Sequence, residues 1–248
     1  MRISATVDLP SGPKRLSSLS PITRNALARW KGHVAPAQLR AVVFDIGNVA
    51  ANWYPGAASL AVCTREGWED RNEPNRVQSV LLDPELKGPF EKGEMDFGSF
   101  YENVRERLGL RNTSQRQLAR IWNDVFEIRQ DTVDLALGLQ DLGLSTYILS
   151  DTNSQHFRYL SGVLPFIKRT NGQTLSHRTG FYKCDGPRAF QIAMSLLERD
   201  GIRPDQAIYF DDRDDYTARA ISLGLPALTF LAAADARTVI REVWGLGI

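Results

Sequence analysis

Three short apolar runs, each ending on a polar residue, constrain this chain more than any other feature. Ala41-Val42-Val43-Phe44 stops at Asp45, Thr146-Tyr147-Ile148-Leu149 at Ser150, and Ala207-Ile208-Tyr209-Phe210 at Asp211. Continuous runs of this length suit strands buried on both faces, which is the condition of strands in a parallel sheet. Parallel neighbours need long crossovers, and the intervening segments are patterned as helices. A helix is expected around residues 131–143. Another is expected along Phe190, Ala193, Met194 and Leu197, stopped by Gly201, and a third near 215–223, stopped by Gly224. Pro226-Ala227-Leu228-Thr229-Phe230 reads as the last strand. This alternation predicts an α/β fold with helices on both faces of the sheet.

Residues 56–128 interrupt the alternation and read as helical. Phe97, Phe100, Tyr101, Val104 and Leu108 make one apolar stripe behind Asp96 as N-cap. Leu118, Ile121, Trp122, Val125 and Phe126 make a second behind Ser114. Both follow the i, i+3, i+4, i+7 spacing of an amphipathic helix. The expected organisation is an N-terminal arm and short helix over 1–35, an α/β core over 36–55 and 129–248, and an inserted helical domain over 56–128. Ser20-Pro21 starts the short helix as N-cap and N1, and Gly32 closes it.

Composition removes several function classes. A net charge of +1 provides no field to gather nucleic acid or coat a membrane. No apolar run approaches the ~18–20 residues that span a bilayer. Cys63 and Cys184 form no CxxC pair, so no zinc or redox motif is indicated, and both are expected as thiols. A cytoplasmic location is expected. The first 31 residues, with six Lys and Arg against Asp8 alone, leave organellar import as the alternative to a plain arm.

The C-terminal ends of parallel strands share one edge of the sheet, where ligands bind. Asp45, Ser150 and the pair Asp211-Asp212 fall there. Three carboxylates at one edge repel unless a cation lies among them. Mg²⁺ is the expected cation, because it takes oxygen ligands and keeps waters that a phosphate oxygen displaces. Lys183 lies on a glycine-containing loop between Ser150 and Asp211, where its charge can balance both a phosphate and a carboxylate nucleophile.

Four segments in this order resemble the motifs of the haloacid dehalogenase (HAD) superfamily. Phe44-Asp45-Ile46-Gly47-Asn48-Val49 resembles motif I in its DxGNV form, and Leu149-Ser150-Asp151-Thr152-Asn153 resembles motif II. Gly180-Phe181-Tyr182-Lys183-Cys184-Asp185 is similar to the motif III loop, and Tyr209-Phe210-Asp211-Asp212-Arg213 to motif IV. The resemblance covers roughly residues 38–232 and implies a Rossmann-like core. The insertion resembles a C1 helical cap. Its segment Phe90-Glu91-Lys92-Gly93-Glu94-Met95 is similar to the cap of the α-D-glucose-1-phosphate phosphatase and epoxide hydrolase phosphatase-domain branch.

The resemblance implies Mg²⁺-dependent hydrolysis of a small organic phosphate, sugar phosphates included, through an aspartyl-phosphate. Asp45, Ser150 and Lys183 are the implied catalytic residues, with Asp45 as nucleophile. Ser150, Asp151, Thr152, Asn153 and Lys183 are the implied substrate-binding residues. Asp45, Gly47 (through its carbonyl), Asp211 and Asp212 are the implied metal site. The pattern departs from the family at Gly47, where most members place a second aspartate as general acid and base. It also departs at Asp151, Cys184 and Tyr216. These departures motivate the alternative of an attenuated or non-catalytic HAD domain that binds a phosphorylated ligand or a protein partner. C–halogen hydrolysis is disfavoured by the acidic motif IV. Oligomeric state is not legible.

Overall fold

The computed structural model describes residues 38–247. The expected arm, and the short helix at Ser20-Pro21, lie outside the described residues. Five parallel strands form the central sheet in the order β5-β4-β1-β6-β7. They are β1 (Ala41–Phe44), β4 (Ser145–Ser150), β5 (Gly172–Leu175), β6 (Ala207–Asp211) and β7 (Ala227–Thr229). In register, Phe44 stands between Ile148 and Phe210.

Side chains alternate across the sheet, as a period of two requires. Val42, Phe44, Ile148, Ile208 and Phe210 enter one buried cluster. Ala41, Val43, Tyr147, Leu149 and Tyr209 enter the other. Both faces are therefore covered, which explains why these strands read as continuous apolar runs rather than alternating ones. Phe44 lies 5.7 Å from Phe166 and 5.6 Å from Phe210, centroid to centroid. Truncating so buried a ring costs about 3–5 kcal/mol.

Helices α6 (Gln130–Asp141), α7 (Ser154–Val163), α9 (Arg188–Arg199), α10 (Asp214–Ser222) and α11 (Ala233–Trp244) flank the sheet, with a single turn α8 (Ser176–Thr179) after β5. Between β1 and β4 lies the helical insertion: α1 (Pro55–Glu66), α2 (Glu73–Leu81), α3 (Pro84–Glu91), α4 (Phe97–Leu108) and α5 (Gln115–Asn123). It has its own buried cluster, in which Phe90 stacks on Phe100 at 4.6 Å. Asp96 caps α4 by accepting from the Ser99 N–H at 2.7 Å. Ser114 and Gln117 form a capping box at the start of α5.

One expected helical stripe ends early. Leu118 and Trp122 are on α5, but Val125 and Phe126 lie beyond it. Phe126 belongs to β3 (Phe126–Ile128), which pairs antiparallel with β2 (Ala51–Trp53) and sets Phe126 opposite Trp53. The apolar spacing continues past the helix because both residues still face the interior.

This two-stranded ribbon carries the chain into and out of the insertion. A second contact joins insertion to core at Gly93, whose φ is +76° and where a Cβ would meet the His177 carbonyl oxygen at 2.1 Å. Only glycine fits that approach. Lys92 adds an ion pair to Asp185 at 2.7 Å.

Candidate active site

Asp45 follows β1 directly and is 6% exposed. Its Oδ2 lies 3.1 Å from Lys183 Nζ, and its Oδ1 is buried without a hydrogen-bond partner. Lys183 is itself 2% exposed and donates to Asp211 Oδ2 at 2.6 Å and to the Tyr209 hydroxyl at 3.3 Å. Tyr209 also donates to Asp211 Oδ2. The other Asp211 oxygen accepts from the Arg213 N–H at 2.9 Å. Asp212 accepts from Asn48 Nδ2 at 2.9 Å. Among the described residues Asn48 is the one non-glycine with positive φ (52°), a conformation asparagine tolerates.

The Lys183 loop is fixed from both sides. Its N–H donates to the Asp151 carboxylate at 3.1 and 3.3 Å. Its carbonyl accepts from Arg219 at 2.9 Å, and the Cys184 carbonyl accepts from the same nitrogen at 3.1 Å. The Tyr216 ring lies between two cations, Lys183 Nζ at 4.7 Å and the Arg213 guanidinium at 4.2 Å.

Burial sets the protonation balance. It pushes the Asp45 carboxyl up to about 7, with Asp211 adding to the rise and Lys183 opposing it. It pushes Asp151 up to about 6, again against Lys183. For Lys183 burial works toward neutrality, but Asp45, Asp211 and Asp151 outweigh it and hold the ammonium well above the ordinary lysine value. The lysine is therefore a fixed positive charge at the floor of the site.

The carboxylates of Asp45, Asp211 and Asp212 bring ligand oxygens within 4.8 Å of one another. An oxygen-only donor set suits a hard divalent cation. The orphaned Asp45 Oδ1 is the observation that fits one here, since a buried carboxylate oxygen otherwise finds a donor.

These groups line a cavity of about 630 Å³ between the sheet edge and the insertion. Asp45, Gly47, Ser150, Asp151, Thr152, Lys183 and Asp212 all face it. Asn153 is absent from its lining. The Asn153 side chain accepts from the His156 N–H at 2.8 Å as N-cap of α7 and meets His156 Nδ1 at 3.1 Å. The Thr152 N–H is likewise engaged, donating to Ser176 Oγ at 2.8 Å. Asp211 lies beneath the cavity floor, with both oxygens partnered.

Sequence reasoning missed Tyr209, read only as strand core. No local signal distinguishes it, because its hydroxyl finds Lys183 and Asp211 only after folding. It also missed the insertion's contribution: Leu82, Lys87, Glu91 and Phe126 line the same cavity, as does Trp53, which the sequence left open between facing substrate and packing at the hinge. Both cysteines are free thiols, Cys63 buried and Cys184 at the cavity edge.

No family model matches the chain. Solved structures do. A HAD family enzyme from Bacteroides thetaiotaomicron superposes with a TM-score of 0.66 at 23% identity, covering 79% of this chain and 95% of its own. The chain has the HAD fold. The same enzyme has been solved with magnesium and inorganic phosphate, and that complex matches at 0.63 and 22% identity over 78% and 95% of the two chains. A predicted HAD-like family hydrolase from Porphyromonas gingivalis matches at 0.58 and 20% identity over 77% and 90%. The L-2-haloacid dehalogenase of Xanthobacter autotrophicus, with chloropropionic acid covalently bound, matches at 0.51 and 14% over 77% and 76%. Among the described residues of this HAD-fold chain, no helix is long and apolar enough to cross a membrane.

Proposed function

We propose that this chain is a Mg²⁺-dependent phosphomonoesterase for a small organic phosphate. The observation that carries the reading is one buried carboxylate, Asp45, held by Lys183, with Asp211 and Asp212 beside it, at the floor of an open cavity. The magnesium and phosphate found in a fold relative support it.

Asp45 is the nucleophile: one carboxylate oxygen attacks phosphorus, the ester oxygen departs, and water then hydrolyses the aspartyl-phosphate. Lys183 balances the negative charge gathered by phosphate and carboxylates, the dominant requirement in phosphoryl transfer. Ser150 faces the cavity and offers its hydroxyl to a phosphoryl oxygen. Asp151 fixes the Lys183 loop through its backbone. Asp45, Asp212 and the Gly47 carbonyl hold Mg²⁺, and Asp211 orients Lys183 behind them. When bound, Mg²⁺ neutralises phosphoryl oxygens that these side chains alone leave negative. We assign residues 56–128 as the cap and the flanking segments as the core.

A panel of phosphorylated metabolites assayed with and without Mg²⁺ tests the reading. Release of inorganic phosphate from at least one ester, abolished by chelation, is expected. Gly47 favours a second reading, a HAD domain that binds a phosphorylated ligand without turning it over. Mg²⁺-dependent phosphate binding without hydrolysis of any ester would establish that reading instead.

A further inference from the structure

We propose that the site is built for aryl phosphates, esters whose leaving group is a small aromatic alcohol; this rests on the phosphomonoesterase reading above. Besides the charged groups Asp45, Lys183 and Asp212, the cavity is lined by the apolar side chains of Trp53, Leu82, Pro84, Phe126 and Leu160. Two aromatic rings and three aliphatic groups face the space that the ester's organic part must occupy.

Apart from the Trp53 indole N–H, which is buried without a partner, the main polar groups on that side satisfy one another. Lys87 pairs with Glu91 at 2.7 Å, and the Tyr182 hydroxyl donates to the same Glu91 oxygen at 2.9 Å. Both ring nitrogens of His156 are engaged, Nε2 on the Trp122 carbonyl at 2.8 Å and Nδ1 on Asn153 at 3.1 Å. The Lys87–Glu91 pair sums to no charge, so it does not call for a second anionic group. A polyhydroxylated leaving group would break into this set or lie against Phe126, Leu82 and Leu160 with most of its hydroxyls unpaired, which buried hydroxyls resist. A flat apolar ring lies there without either penalty.

The departing oxygen gives a second, independent argument. Gly47, on the cavity lining two residues beyond Asp45, has no side chain, and the direction of its missing Cβ is open. An aryl oxygen needs no donor there. As the Asp45 oxygen bonds to phosphorus, the P–O bond to the ring breaks and its electron pair leaves with oxygen as a stable phenolate. The phenolate takes its proton from water. A second water cleaves the aspartyl-phosphate, giving inorganic phosphate and restoring the Asp45 carboxylate, and the proton it releases neutralises the hydroxide left by the first water. The sum is ester plus one water to phenol plus phosphate.

Non-hydrolysable phosphonates separate recognition from turnover. In titration calorimetry with Mg²⁺, benzylphosphonate should bind the full chain about tenfold more tightly than a hexose phosphonate, the size of effect one aromatic contact supplies. Trp53→Leu should remove that advantage, weakening benzylphosphonate about tenfold relative to methylphosphonate, and Trp53→Phe should keep most of it. Should Trp53→Leu fail to fold, Leu82→Asn places a polar group in the same wall and should weaken benzylphosphonate selectively. Phenyl phosphate should exceed hexose phosphates in kcat/KM by about 100-fold, the scale of a missing acid. Equal or tighter binding of the hexose phosphonate overturns the aryl assignment, and hydrolysis of any ester would then leave the phosphatase reading standing. Preferred binding of benzylphosphonate with no ester hydrolysed supports the aryl pocket and overturns the phosphatase reading alone.

Discussion

Acid should weaken this protein through His156. The residue is 5% exposed on α7 and bridges core to insertion through the Trp122 carbonyl. Its ring stacks on Trp122 at 5.0 Å and meets the edge of Phe126 at 4.8 Å. Burial holds its pKa near 3 against an ordinary 6.5; the Trp122 carbonyl opposes the drop and Lys87 adds to it. A group whose pKa is depressed by folding contributes stability that is fully present above the unfolded value. That stability is lost as pH falls toward the folded value. The loss therefore begins near pH 6.5 and continues to about pH 3. At about 1.4 kcal/mol per pH unit, moving from pH 7.5 to 4.5 should cost about 3 kcal/mol through this one ring. Urea unfolding of wild type and His156→Gln at both pH values isolates it, because the other titrating groups are common to both proteins. The variant is expected to start less stable and to lose about 3 kcal/mol less on acidification. Parallel losses in the two proteins would refute a neutral, buried His156.

Three further outcomes are expected at the charged floor of the cavity. Asp45→Asn should abolish phosphate release while leaving the thermal melt of a folded protein, since the loss is of nucleophilic charge and not of volume. Lys183→Met strands Asp45 and Asp211 without their cation and should destabilise the metal-free protein by about 3–5 kcal/mol, read by urea unfolding in the presence of a chelator. Gly47→Asp meets no steric obstacle, so with Mg²⁺ present to offset the added carboxylate its melt should stay close to wild type. If a carboxyl there protonates leaving groups, turnover of alkyl phosphates should rise by about 10²-fold and that of aryl phosphates far less.

Much of the core was legible because its strands are buried on both faces. Such strands announce themselves as apolar runs, and their last residues mark the ligand edge, so the positions of Asp45, Ser150 and Asp211 are legible from the sequence. β5, Gly-Gln-Thr-Leu, could not, since an edge strand with one side in solvent lacks the run. The ribbon of β2 and β3 was hidden for another reason. Its strands are three residues each, and paired residues Asn52 and Glu127 stand 75 apart in sequence. Nothing local encodes such a pairing, and the apolar spacing of Val125 and Phe126 imitates one more helical turn. The candidate site divides the same way. Its charged floor follows from residue type at strand ends, whereas its apolar wall depends on which face of the insertion turns inward.

The Trp53–Phe126 pair holds two positions at once. These residues are register partners in the ribbon through which the insertion is attached, and both line the cavity. Attachment of the insertion and lining of the cavity thus share the same atoms. The intervening helices can be lengthened, shortened or exchanged without altering the sheet, as long as entry and exit meet at this ribbon. The rings at the junction cannot change so freely, because any new pair resets both the angle at which the helices leave the core and the shape of what fits beneath them. Divergence of substrate range in proteins built this way is therefore expected to concentrate at the two ends of the inserted segment, with its middle free to drift.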